Sequence, residues 1–300
     1  KTRLIADCLK RLDPQEVEIA LPYLSGDTRQ GRLSLGYASL QAALGSPSDT
    51  PSLQLAEVDA AFSQMKSTKG KGSAASRSGF LRNLFERATP EEQDFLVRLI
   101  VGELRQGALE GVMLDAVAAA ANLPAAEIRR AATFAGAIAP VAKAALAGGA
   151  AGLAPFAVRL MQPVLPMLAQ PAEDVASALA QLGTAILEWK LDGARVQVHK
   201  SGDEVRVYTR NLNEVTAAVP EVATALKDAA AQSLILDGEA IALRADGRPH
   251  PFQLTMRRFG RKLDVDALRA ELPLSVFFFD CLYRDGVPLV DRPASERHDV

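Results

Sequence analysis

Along the first 150 or so residues, apolar positions recur three and four apart. Over 91–104, Phe95, Leu96, Leu99 and Ile100 fall on one helical face, and the same spacing continues over 113–121 and 125–139. Thr89 before Pro90, with Glu92 three residues beyond the threonine, spells a capping box with proline at the first helical position. An all-α region is expected. Gly148-Gly149 through Pro155 then interrupt the pattern, and Pro163, Pro166 and Pro171 mark a stiff connector. Beyond it the texture changes to strands. Runs at 186–189, 195–200, 204–209, 234–236, 240–243 and 274–279 read as short strands split by Ser-Gly, Asp-Gly and Asn turns. Val196 and Val198, then Val205 and Val207, alternate with polar residues across Ser201-Gly202, as in a hairpin with one wet face. Residues 212–231 give the clearest helix of this half. The expected fold is multidomain, α and α+β: all-α over 1–160, a linker over 161–170, and antiparallel sheets with intervening helices over 171–300.

Composition agrees with two domains. The chain has 300 residues, 48% hydrophobic and 23% charged, which excludes a disordered or fibrous protein. Cys8 and Cys281 are too few for a disulfide framework, and His199, His250 and His298 are scattered. The most apolar stretch, 135–158, is mostly Ala and Gly and carries Pro140, Lys143 and Pro155, a poor membrane span. No signal peptide is visible at the start, so a cytoplasmic location is expected. A chain that opens without Met and stops at Val300 is expected to be part of something longer. The net charge of −2 is unevenly spread: residues 1–163 carry 18 Lys and Arg against 16 Asp and Glu, and 164–300 carry 16 against 20. Lys66, Lys69, Lys71, Arg77, Arg82 and Arg87 face a single acid, Glu86, and the Gly/Ser-rich part of that stretch, 67–79, reads as a flexible basic loop, either simply solvated or in contact with phosphates.

Two segments echo each other. Gly31 to Gly36 and Gly102 to Gly107 share the form G-x-L-x-x-G, with Arg32 and Arg105 inside them, each followed by an Ala-rich helical pattern. Glycine turns feeding helix N-termini would offer backbone N–H groups to phosphates; plain helix-to-helix turns explain them as well.

The most informative stretch is Glu188-Trp189-Lys190-Leu191-Asp192-Gly193-Ala194-Arg195. The order K-x-D-G-x-R arises by chance in about a few per thousand chains of this length at average residue usage. It resembles the active-site motif of the covalent nucleotidyltransferases: ATP-dependent DNA ligases, RNA ligases and mRNA capping enzymes. Further matches follow in family order. Thr209-Arg210-Asn211 is similar to the family's S-R-x-G segment with Thr for Ser and Asn for Gly, so the arginine is what carries over. Asp237-Gly238-Glu239 resembles its D-G-E motif, and Val276 to Asp280, with Arg284-Asp285-Gly286 closing a hairpin, resembles the motif whose last aromatic stacks on the base. Pro163 to Ala169, and Pro251-Phe252-Gln253 with Arg257-Arg258, resemble segments of the larger DNA ligases, and the all-α region resembles their DNA-binding domain. Glu110-Gly111-Val112-Met113 looks like a downstream ligase motif but lies 80 residues before Lys190, so it is expected to be structural.

The resemblance implies an ATP-dependent DNA ligase: a helical DNA-binding domain followed by an adenylation domain that is incomplete at Val300, without the small β-barrel that the family carries next. Lys190 would form the covalent bond to AMP. Glu188 would accept from the adenine amino group and select ATP over GTP, Phe279 would stack on the base, Arg195 and Arg210 would bind sugar and phosphate, and Glu239 would orient the ribose and Mg²⁺. Arg32 and Arg105 would contact DNA. The substrates implied are ATP and nicked double-stranded DNA, and the protein would act as a cytoplasmic, nucleoid-associated monomer. The physical demand is clear: a lysine at its ordinary pKa of about 10.4 is only roughly a tenth of a per cent neutral at pH 7.4, so neighbouring positive charge and loss of water must free it to attack. The competing readings are an RNA ligase or capping-type enzyme with the same lysine chemistry, and a noncatalytic duplex-binding protein.

Overall fold

The structure, a computed structural model, describes residues 1–33, 35–104, 110–167, 169–260 and 264–300. It divides into two compact units, Lys1–Ala132 with Ala137–Phe156, and Thr133–Gly136 with Ala157–Val300. No single helix among the described residues is long and apolar enough to cross a membrane.

The first unit is helical: α1 (Thr2–Leu9), α2 (Pro14–Ser25), α3 (Tyr37–Ala43), α4 (Leu55–Ser67), α5 (Ser73–Arg87), α6 (Pro90–Val101), α7 (Glu110–Ala121), α8 (Ala125–Ala135) and α9 (Ile138–Leu153). Phe62, Met65, Leu81, Phe85, Leu40 and Leu99 form a buried cluster, supplied at helical spacing by α3 to α6. The start of α6 is fixed as its sequence predicts: Thr89 Oγ1 accepts from Glu92 N–H at 3.3 Å, and Glu92 Oε2 accepts from Thr89 N–H at 2.9 Å. The break expected at Gly148-Gly149 is a kink inside α9, where Gly149 leaves helical geometry. The flexible loop expected over 67–79 is mostly absent. Helix α5 begins at Ser73, because Leu81, Leu84 and Phe85 farther along it are buried, and the Arg77 side chain closes the short remaining turn by donating to Thr68 O at 2.7 Å.

The second unit opens with α10 (Val175–Leu182), capped by Asp174, which accepts from Ser177 N–H at 2.7 Å. Its centre is an antiparallel sheet in the order β2-β1-β3-β4-β5, with β1 at Ala194–Ser201, β2 at Glu204–Thr209, β3 at Ser233–Ala242, β4 at Leu274–Arg284 and β5 at Val287–Pro288. One face is the core: Val196, Val198, Val205, Val207, Ala240 and Ala242 pack against α11 (Pro220–Ala225) and α12 (Phe252–Phe259). Arg258 of α12, only 2% exposed, donates to Glu221 of α11 at 2.7 Å and binds these two helices together. Helices α13 (Val265–Glu271) and α14 (Ala294–His298) flank β4 in the sequence.

Gln197 and His199 lie on the opposite face. His199 Nδ1 accepts from Met161 N–H at 3.0 Å, its Nε2 meets Gln197 Oε1 at 2.9 Å, and Gln197 Oε1 also accepts from Val164 N–H at 2.8 Å. Residues 161–164, in the stretch expected as a linker, therefore lie along the sheet of this unit.

Three sequence expectations need correction here. Residues 186–189 form no strand; Trp189 is 93% exposed in an irregular segment. The long helix over 212–231 is replaced by a 3₁₀ turn at Thr216–Ala218 and the short α11, because Leu212 takes a left-handed φ of 61° and Pro220 can only start a helix. The runs at 234–236 and 240–243 are one strand, β3, so Asp237-Gly238 does not turn the chain.

Candidate active site

The site face is built by three adjacent strands. Arg195 at the start of β1 pairs with Glu239 of β3, which pairs with Phe277 of β4. At the same end of the sheet Val196 pairs with Thr209, so Arg210, exposed in the turn after β2, lies one step beyond and level with Arg195. Between Asp280, which pairs with Asp237, and Phe278, which pairs with Gly238, β4 holds one extra residue, Phe279. This bulge turns the ring toward β1, and the Arg195 guanidinium carbon stands 5.7 Å from its centroid, within cation–π range.

The motif glycines explain the close approach. A Cβ on Gly193 would stand 2.5 Å from Ala240 O and 3.0 Å from Glu239 Cγ; one on Gly238 would stand 2.6 Å from Phe277 O. Only glycine lets the chain leaving Lys190 lie against β3. Gly193 N–H donates to Glu239 Oε1 at 3.0 Å and ties that chain to the strand.

Charges are matched across the face. Arg195 forks onto Asp237, Nε to Oδ1 at 3.0 Å and Nη2 to Oδ2, and this bond holds the guanidinium protonated. Burial pushes the Glu239 carboxyl above the usual carboxylate range, and the Gly193 N–H, Arg195 and Lys190 pull it back. Lys190 itself is exposed, yet its charge reaches Glu239.

Lys190, Arg195, Glu239 and Phe279 thus share one patch. Glu188, two residues before the lysine, is exposed and forms no hydrogen bond or ion pair with them. Sequence reasoning gave no role to Asp237, Asp280 or Arg297, whose ion pairs frame the patch. Arg195 and Asp237 each belong to a motif marked in the sequence; for Arg297, 17 residues beyond Asp280, no local pattern marks the pair.

In the helical unit, Gly31, Arg32 and Leu33 line a hollow of about 480 Å³ together with Leu99, Ile100 and Gly102. The two glycine-containing echoes therefore meet, with Arg32 exposed at the hollow and its carbonyl accepting from Lys66 Nζ at 2.6 Å. Arg105 lies outside the described residues. Met113 of the downstream-like motif is buried in α7, the structural role expected of it.

Comparison with known proteins places both units. Residues 166–300 match the family model described as ATP dependent DNA ligase domain, and residues 2–118 match DNA ligase N terminus. A "Probable DNA ligase" of Anaeromyxobacter sp. (strain Fw109-5) is 58% identical over 300 residues, covering 99% of this chain and 58% of that protein. One of Sorangium cellulosum (strain So ce56) is 53% identical over 299 residues, covering 99% and 56%. This chain therefore spans under three fifths of the length of these relatives. The solved structure named Pmar-Lig_Pre shares the fold, with a TM-score of 0.50 and 16% identity over 99% of this chain and 57% of that one. With a ligase model on each of its two units and relatives of that name aligned end to end along it, the chain belongs to the ATP-dependent DNA ligase family.

Proposed function

We propose that this chain carries the nucleotide-charging chemistry of an enzyme that seals nicks in duplex DNA. Lys190 Nζ attacks the α-phosphorus of ATP; a P–N bond forms, the bond to the bridging oxygen breaks, and pyrophosphate leaves with the electron pair. The AMP then passes from Lys190 to the 5′-phosphate of a nick, and the 3′-hydroxyl displaces it as the strand closes. Such chemistry depends mostly on positioning and on neutralising phosphate charge. Phe279 is the platform for adenine, a stack worth about 1 to 3 kcal/mol. Glu188 reads the adenine amino group, and Arg195 and Arg210 take sugar and phosphate oxygens. Lys190 is exposed, so the nucleotide itself displaces the water around it.

Among the described residues no group of three or more His, Cys, Asp and Glu could cage a metal. A half-buried Glu239 with one oxygen held by Gly193 fits Mg²⁺ carried mainly by phosphates and water. When bound, the ion would supply charge neutralisation at the phosphates, with Glu239 as the chain's own contribution to holding it. In the helical unit, Arg32 beside the glycine-lined hollow contacts the duplex backbone, with Arg105 on the echoing segment as its counterpart. The protein works as a monomer in the cytoplasm, at the nucleoid, where its DNA substrate lies.

The observation that supports this reading best is the convergence of Arg195, Glu239 and Phe279 beside the chain that leaves Lys190. Its test is mass spectrometry of the full-length protein after incubation with ATP and Mg²⁺. One AMP on Lys190 is expected, lost in Lys190→Ala together with sealing of a labelled nick. An adduct at another residue, or sealing retained by the variant, sinks the reading. GTP labelling in place of ATP indicates a capping-type enzyme, and a preference for RNA ends an RNA ligase.

A further inference from the structure

Asp237 and Asp280 pair across β3 and β4, placing two carboxylates side by side on the site face. Like charges directly opposite in a sheet repel. Each carboxylate has its own arginine. Arg195 forks onto Asp237, while Arg297 of α14 forks onto Asp280, with Nε to Oδ1 at 2.7 Å and Nη2 to Oδ2 at 3.0 Å. Arg297 Nη1 donates to Arg292 O at 2.6 Å, which fixes the plane of the fork. Phe279 lies next to Asp280 in the chain as the extra residue of the bulge, and Arg195 lies over its ring. The Asp280 charge acts on Arg195 even with Arg297 in place. Without Arg297, Asp280 would become a second acceptor for the one arginine left, drawing Arg195 away from Asp237 and off the ring.

We propose that Arg297 is a positioning residue of the nucleotide site: by holding Asp280 it leaves Arg195 on Asp237 and over Phe279, the arrangement the base and phosphate meet. This rests on the nucleotide reading above. It differs from a plain structural role for the Asp280–Arg297 pair, because the harm of losing Arg297 comes from the carboxylate left behind. Removing that carboxylate as well should repair the site, although the tie between β4 and α14 is then gone from both ends.

The test compares wild type, Arg297→Ala, Arg297→Lys, Asp280→Asn and the double variant Arg297→Ala with Asp280→Asn, all in the full-length protein. The rate of lysyl-AMP formation is measured against ATP concentration. Arg297→Ala is expected to raise the KM for ATP about tenfold, the scale of one lost charge-assisted hydrogen bond, with a smaller change in kcat. Arg297→Lys recovers part of this, and the double variant returns to within about threefold of wild type, a strong non-additivity. A double variant no better than Arg297→Ala, or an Arg297→Ala KM equal to wild type, overturns the proposal. The Arg195 Nε–H resonance gives a readout without nucleotide: it should shift in Arg297→Ala and return in the double variant. If wild type takes no AMP on Lys190, the nucleotide reading fails, while the resonance still decides whether Arg297 places Arg195; an unmoved resonance overturns that as well.

Discussion

Two pairs of glycines, one pair in each unit, serve opposite purposes. Gly31 and Gly102 in the helical unit have φ of 64° and 77°, and no heavy atom lies within 4 Å of where their side chains would begin. Gly193 and Gly238 in the sheet unit have no such φ, but a Cβ on either would collide with a neighbouring strand. Glycine is needed in the first pair for backbone shape and in the second for proximity. Buried polar groups divide the same way. Among the described residues the helical unit buries Asp59, whereas the sheet unit buries Gln197, His199, Lys200, Asp237, Thr255 and Arg258. At these positions the helical unit leaves open space around its glycines, whereas the sheet unit packs strand against strand and buries polar side chains between them.

The contrast breaks most sharply at Gly193. In Gly193→Ala the new carbon must push β1 from β3 or turn the Lys190 chain away, because the nearest atom is the backbone oxygen of Ala240, which cannot swing aside. Overpacking of this kind costs about 1 to 3 kcal/mol. On the proposed reading the larger effect falls on chemistry, since moving the chain beside Lys190 away from β3 stretches the Gly193–Glu239 bond. A displacement near 1 Å is enough for roughly a hundredfold loss in rate. On the proposed reading, single-turnover adenylation should fall by at least that factor while the duplex binding proposed for the helical unit stays unchanged; near-normal adenylation would mean the strands can part freely.

A change of pH sharpens the same contrast. Burial lowers the pKa of His199 from 6.5 to about 4, and its Nδ1 is already occupied as an acceptor, so the folded unit keeps the ring neutral. Because the folded-state value is depressed, the stabilisation is complete above pH 6.5. As pH falls the unfolded chain takes a proton that the folded one refuses, and stability drops by about 1.4 kcal/mol per pH unit, up to about 3 kcal/mol near pH 4. Glu239 works the other way, its raised carboxyl favouring the folded state in acid, so the His199 contribution is read as the difference between wild type and His199→Gln between pH 7 and 5. Hydrogen exchange of β1 peptides should show the loss, and His199→Gln should flatten it. The helical unit contains no histidine and should show no such slope over this range. An equal slope in both units would remove His199 as its source.

What the sequence made legible follows from how local the signals are. The β2 strand appears at its observed bounds because alternation over six residues needs no partner, and the Thr89–Glu92 box needs only three intervals. The motif order located Lys190, Arg195, Glu239 and Phe279 in the chain. Their geometry was not legible, since the bulge at Phe279 exists only as a mismatch between β3 and β4 and the Arg297–Asp280 pair spans a hairpin. The helix expected over 212–231 failed because Val215, Val219, Val222 and Leu226 do serve one core, but from a 3₁₀ turn and a short helix broken at Pro220. Asp237-Gly238 misled for the reverse reason: the dipeptide carries a strong turn preference, and here the glycine is kept for the strand beside it.

The gentlest expected effect is at Gly31. Its φ of 64° is a conformation that alanine enters with a penalty of about 1 to 2 kcal/mol, partly offset because alanine also has fewer unfolded conformations to lose. Nothing stands where the methyl group would go, so no neighbour must move. Gly31→Ala should therefore lower the urea midpoint of the helical unit by an amount equivalent to about 1 kcal/mol and leave adenylation of Lys190 at its wild-type rate. Two alanines, each adding one methyl group to a motif glycine, would then differ by two orders of magnitude in chemistry. If Gly31→Ala disturbs adenylation as Gly193→Ala does, the separation between glycine for shape and glycine for proximity fails, and the hollow at Gly31 and Gly102 has to be counted among the parts that set the charging rate.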